Sequence, residues 1–185
     1  MTSDRDWSWE GDRPALDLVN TFRDRKTGGR ELLQTPPDLA EWLRTANAVR
    51  RRPTVDHDQL TATRQLRSAV ARCVDAALAG NAYESADVRV INRWAGRRRP
   101  VRLREEAAVE TVRGADPVTT ALAEIATDAV VLLGGADRAT LRVCAAADCG
   151  LRFVDRSPAG GRQWCSMSRC GNRAKARAHR ERSRH

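Results

Sequence analysis

The sequence predicts a mainly α protein: a multi-helical N-terminal domain carrying one small β-hairpin, then a small four-cysteine module that closes in a basic helix. Three observations point there. Apolar residues recur at helical spacing in several segments of the first three quarters of the chain. Four of the five cysteines, Cys144, Cys149, Cys165 and Cys170, fall within 27 residues. Of the formal net charge of +9, residues 144–185 hold +7, ten Lys and Arg against three Asp and Glu. Domains are therefore expected over 1–138 and 139–185, a length that suits one core and an appendage.

The stretch "PALDLVNTF" reads as a short buried helix with Leu16, Leu18 and Val19 inward, and "TGG" as the loop after it. In "TPPDLAEWLRTANAV", Thr35 is the expected N-cap ahead of prolines in the first turn, with Leu39, Trp42, Leu43, Ala46 and Val49 on one face. Pro53 breaks the chain. A longer helix follows, with Leu66, Val70, Cys73 and Ala77 at core spacing and Gly80 just past its end, so Cys73 is a core residue. "ADVRVINRWAG" gives a shorter helix with Val88, Ile91 and Trp94 or Ala95 inward. Alternation at Val101 and Leu103, then at Ala107 and Val109, predicts the hairpin. The strongest core helix starts at Asp116 and Pro117, runs its stripe through Leu122, Ile125, Ala129, Val130 and Leu133, and stops at Gly134 and Gly135.

The cysteines are spaced C-x4-C, fifteen residues, C-x4-C. Two close pairs suit a tetrahedral zinc, because each pair supplies two thiolates from one tight turn and the loop brings the pairs together at ~2.3 Å from the metal. A four-thiolate site leaves no position for water, so one structural Zn2+ per chain is expected, and it gives folding energy to a segment too polar to fold alone. The competing reading is a set of free or redox-active thiols. Phe153 and Trp164 are the apolar residues available to pack there.

After Cys170, "GNRAKARAHRERSR" is Ala-rich and free of proline, so it should be helical, with Cys170 near the N-terminal end where the helix dipole favours a thiolate. Arg173, Arg177, Arg180 and Arg184 then form one stripe, with Lys175 and Arg182 beside it. A metal-anchored basic helix with no apolar face suits duplex DNA, the cations on phosphates and Asn172 or Arg173 at a base edge. A solvated charged tail is the plainer alternative. Arg outnumbers Lys by 31 to 2, so the position of the charge says more than the choice of Arg.

The finger segment, with Phe153, Asp155 and Ser157 as F-x-D-x-S, Trp164 to Met167 as W-C-S-M, and Cys170-Gly171-Asn172-Arg173, resembles the CGNR zinc finger. "ALDLVNT" resembles the opening of the ABATE domain, the helical partner of that finger in bacterial stress-induced transcription regulators. The resemblance implies DNA binding by the finger. Before Trp164 the family's Arg-rich stretch is reduced here to "PAGGRQW", with Arg162 alone, which would loosen a loop contact to phosphate.

Asp17, Asn20 and Thr21 are polar residues inside an apolar segment, and two readings stand: a hydrogen-bonded lock between helices, or the lining of a pocket for a small-molecule effector. Trp7 and Trp9 read as aromatics capping the core. No Gly-rich phosphate loop, H-E-x-x-H motif or nucleophile elbow is present, and His57, His179 and His185 have no suggestive spacing, so no enzyme is expected. The start of the chain has no apolar signal region, and no run approaches ~18 consecutive apolar residues, so a cytoplasmic protein without a membrane span is expected. Dimers are common among regulators that read palindromes, yet no heptad seam marks one here. The leading reading is thus a DNA-binding transcription regulator; the alternatives are a zinc-stabilised module docking on an acidic protein partner, and a thiol-based redox sensor.

Overall fold

The protein was analysed as a computed structural model, which describes residues 7–98, 101–103, 105, 109–111 and 116–182. In chain order the elements are α1 (Pro14–Val19), β1 (Phe22–Arg23), β2 (Arg30–Glu31), α2 (Pro36–Thr45), α3 (His57–Leu78), α4 (Ser85–Ala95), β3 (Val101–Leu103), β4 (Val109–Thr111) and α5 (Pro117–Gly134). A 3-10 turn (Ala136–Thr140), β5 (Leu141–Val143), β6 (Arg152–Val154), a π turn (Met167–Gly171) and α6 (Asn172–Arg182) complete the chain.

Local chemistry sets the helix ends. Pro36 and Pro37 open α2, and the Asp38 carboxylate accepts the N–H of Thr35 at 2.8 Å, half of a capping box. Asp56 and Gln59 close the reciprocal box on α3, and Gly80, at φ +71°, follows its last turn. Asp116 accepts the Thr119 N–H at 2.7 Å ahead of Pro117 in α5. Helix α2 ends at Thr45, with Asn47 in the left-handed region at φ 55°, so Ala46 and Val49 pack on the core from beyond the helix.

The core lies where α5 packs on α1, α3 and α4, around Leu16, Leu18, Trp42, Leu66, Val70 and Leu122. Among the described residues α5 is the one helix with the length and apolarity to cross a membrane, and half of it is buried in this core. The expected stripe needs one correction. Val130 is 41% exposed, while Leu132 is fully buried, because a helix apolar on nearly every side carries no periodic signal of its inner face. On α4, Ile91 is buried and Trp94 and Ala95 pack against the core as expected, and Asp87 is buried as well, paired with Arg72 of α3 at 2.5 Å. Cys73 is a core residue, and burial pushes its thiol up to about 11.

Among the described residues three antiparallel strand pairs occur where the sequence predicted one. In the expected hairpin Leu103 pairs with Val109; Ala107 lies outside the described residues. The pairs β1–β2 and β5–β6, two and three residues long, were not expected. The last pair matters for the site. In β6 the period of two sends Val154 into the helical core beside its partner Leu141, and Phe153 into the separate cluster of cysteines.

The corrected α5 face predicts a contrast. Leu132→Ala should cost about 2–5 kcal/mol and Val130→Ala within about 0.5 kcal/mol, read as midpoints of denaturant unfolding of the zinc-loaded protein.

Candidate metal centre and its junction with the helical domain

The four cysteines stand on two turns. Cys144 leaves β5 and donates its N–H to Leu151 O at 2.9 Å, while the Cys149 N–H returns to Ala146 O. Cys165 enters the π turn and Cys170 lies within it, its N–H on Ser166 O at 3.0 Å. All four sulfurs are buried and lie within 4.8 Å of one another. The Cys149–Cys165 and Cys165–Cys170 separations are 3.8 and 3.6 Å. A tetrahedron with metal–sulfur arms of ~2.3 Å has edges of ~3.8 Å, so the cluster fits one zinc ion. Four thiols this close cannot ionise together unless a cation balances them. Hydrogen bonds from Cys149 and Cys165 hold Cys144 down, and the bond to Cys144 helps push Cys149 up to about 12.

The motif residues have structural tasks. Asp155 accepts the Ser157 hydroxyl, the Ser157 N–H and the Arg162 N–H, closing the loop between the knuckles. The Ser157 hydroxyl and N–H hold its carboxyl below the usual range. Phe153 is fully buried beneath the Arg162 guanidinium, which lies 4.6 Å from the ring centroid. A Cβ on Gly171 would run into Trp164 and Met167, which explains glycine after Cys170. Arg162 donates to the carbonyls of Trp164 and Cys165 and pairs with Asp12 at 2.9 Å. It is a structural clasp between the finger loop and the N-terminal segment.

The helical domain supplies groups that sequence reading missed. Lys26, on the β1–β2 turn, donates to Cys144 O at 2.7 Å and Ala146 O at 2.9 Å, clamping the first knuckle. Arg152 reaches Asp75 of α3 at 2.7 Å. Val154 donates its N–H to Gly11 O at 3.1 Å. None of these partners had a local signal, since each lies tens of residues away in sequence.

The three polar residues of the N-terminal motif separate. Asn20 brackets Arg152, its amide donating to the backbone carbonyl at 2.9 Å and accepting the N–H at 3.0 Å. Thr21 donates to Leu18 O and accepts from Arg67, which also pairs with Glu31. Both are locks, and neither lines the cavity of about 580 Å³ between α1, α2 and α5. Only Asp17 does. Burial pushes its carboxyl up to about 7 against the Gly11 N–H, and Asp12, Asp128 and Glu10 add to the rise.

The described side chains of α6 are exposed except Ala174, which is half-buried. Asn172, Lys175, Arg177 and Arg180 lie on its surface. Arg173 is also exposed, but its guanidinium lies 3.3 Å from Asp148 and 3.4 Å from Cys170 Sγ. Arg184 lies outside the described residues.

A buried four-sulfur centre, two knuckles and a projecting basic helix, joined to a helical domain, define a two-part zinc-finger protein. Residues 12–136 match the ABATE family, described as "Putative stress-induced transcription regulator", and residues 140–183 match the CGNR zinc finger. The chain belongs to the ABATE family and carries a CGNR zinc finger. No curated protein matches it.

Two predictions follow from this geometry. Lys26→Met removes the clamp and should speed zinc transfer to a chromophoric chelator about tenfold, with helical circular dichroism unchanged. Asp17 has a folded value raised above its ordinary 3.8, so it stabilises the fold at low pH and loses that contribution as pH rises to 7. Asp17→Asn should therefore be more stable than the parent above pH 7, on the order of 1 kcal/mol after solvent screening. The gap should close as pH falls toward 3.8, a trend read from paired thermal melts.

Proposed function

We propose that the protein is a transcription regulator in which residues 139–185 read duplex DNA and residues 1–138 sense a small-molecule effector. The observation that carries the reading is the basic surface of α6, exposed along Lys175, Arg177 and Arg180 and rooted through Cys170 in the sulfur cluster. A helix without an apolar face gains nothing from packing, and its charge is matched by phosphates, whose condensed counterions it releases. Lys175, Arg177, Arg180 and Arg184 are assigned to phosphates and Asn172 to a base edge. Arg173, engaged by Asp148 and Cys170, is assigned first to orienting the ligand it touches and only secondarily to DNA.

Fluorescence anisotropy with labelled random duplex DNA tests this. The zinc-loaded protein should bind with log K falling against log salt at a slope of about −3 to −4, the value for three or four phosphates. Chelator-stripped protein and Cys165→Ser should not bind. If Cys165→Ser bound as tightly as the parent, the zinc-anchored reading would fail; if neither metal state bound even at low salt, the basic helix would be assigned to an acidic protein partner.

A further inference from the structure

The cavity between α1, α2 and α5 has an uneven charge inventory. Trp42, Ala121, Ile125 and Val131 give it an apolar body, and its volume of about 580 Å³ is of the size that holds a small ligand. Among the described residues four charged side chains line it: Arg13, Asp17, Glu124 and Asp128. Three of these are matched. Arg13 pairs with Asp128 at 2.7 Å and with Asp137 at 2.8 Å, and Glu124 pairs with Arg98 at 2.9 Å. Asp17 has no cation among the described residues, only the Gly11 N–H at 3.0 Å. An anion entering here would meet a guanidinium already held by two carboxylates. A neutral ligand would take further water from Asp17 and return at most a hydrogen bond, whereas a cation would complete the pair.

The same segment supports the finger. Gly11 donates its N–H to Asp17 and accepts the Val154 N–H with its carbonyl, so one peptide pair joins the cavity to β6. A Cβ on Gly11 would lie 2.7 Å from Leu16 Cβ and 2.8 Å from Asp17 Oδ1, so there is no slack between the segment and α1. Asp12, at φ 60°, holds Arg162, which binds the carbonyl of the ligand residue Cys165. Arg13 and Arg156 of the finger share Asp137.

We infer that this cavity binds a small organic ammonium ion with an apolar body, its charge on Asp17, and that residues 10–13 carry its occupancy to the zinc module. The inference rests on the reading of the helical domain as the sensing half. A ligand drawing the Asp17 carboxylate toward itself loosens the Gly11 N–H, and the clasp at Val154 and Arg162 responds; coupling is the difference in ligand affinity between the two arrangements.

Calorimetric titration of the zinc-loaded full chain with benzylammonium, benzyl alcohol and benzoate tests the site without DNA, so its outcome is separate from whether the finger reads DNA. Benzylammonium should bind at one site per chain, and the other two should not saturate. Asp17→Asn, which keeps the size and an oxygen for the Gly11 N–H, should weaken binding about tenfold or more. Val131→Lys, at an exposed position on the rim, should abolish binding by placing an ammonium where the ligand's would sit. Equal affinity in Asp17→Asn, tighter binding of benzoate, or no saturable binding of benzylammonium to the folded parent would overturn the site. Saturating benzylammonium should also change the rate of zinc transfer to a chelator at least about twofold in the parent and not in Asp17→Asn. An unchanged rate in the parent, or the same change in the variant, would overturn the relay.

Discussion

Four sulfurs confined within 4.8 Å of one another impose a condition on everything after Thr140: they can carry charge together only around a divalent cation. The segment that holds them has little else to fold with. Leu151 and Phe153, with Trp164 at the edge, make up most of its remaining apolar packing. Metal closure therefore fixes the two knuckles, the knuckles fix the π turn, and the turn sets where α6 leaves the module. The exposed basic surface is a consequence of that geometry, because a helix this polar has no face with which to choose a direction for itself.

The zinc module is built into the helical domain. Strand β6 divides its side chains between two cores, Val154 with the helices and Phe153 with the sulfurs, so neither core can shift along the strand without disturbing the other. Around this strand Asn20, Lys26, Asp75 and Gly11 meet backbone or guanidinium groups of the finger. These contacts satisfy polar groups that would otherwise be costly to bury, and they orient the module. The cavity and the metal centre consequently share residues 10–13 as a common support.

Arginine dominates the cations of this chain, so its roles are separated by partners and not by abundance. Arg13, Arg67, Arg72, Arg152 and Arg162 each hold a carboxylate, and most also hold a neighbouring backbone or hydroxyl group. The planar donor fork suits such multiple attachment. At the opposite end of the scale, the α6 cations stand on an exposed helix. Arg173 lies between the two groups, on that helix yet within reach of a ligand sulfur.

What the sequence determined by itself was whatever depends on near neighbours in the chain. Proline, Thr and Asp at the caps, helical spacing in α3, and paired cysteines on tight turns all act within a few residues, so the helices, the metal ligands and the basic helix were legible. Tertiary structure decided whatever depends on distant partners. Asp17, Asn20 and Thr21 occupy five positions of one motif, yet one faces a cavity, one grips Arg152 and one supports Arg67. The inner face of α5 required its neighbours because its apolar residues surround it, and the β1–β2 and β5–β6 pairs became visible only with their partners in place. Lys26 became recognisable as a support of the metal centre, and Arg162 as its tie to Asp12, only when folding brought together groups more than a hundred residues apart, a relation set by packing and hydrogen bonding that no local spacing encodes.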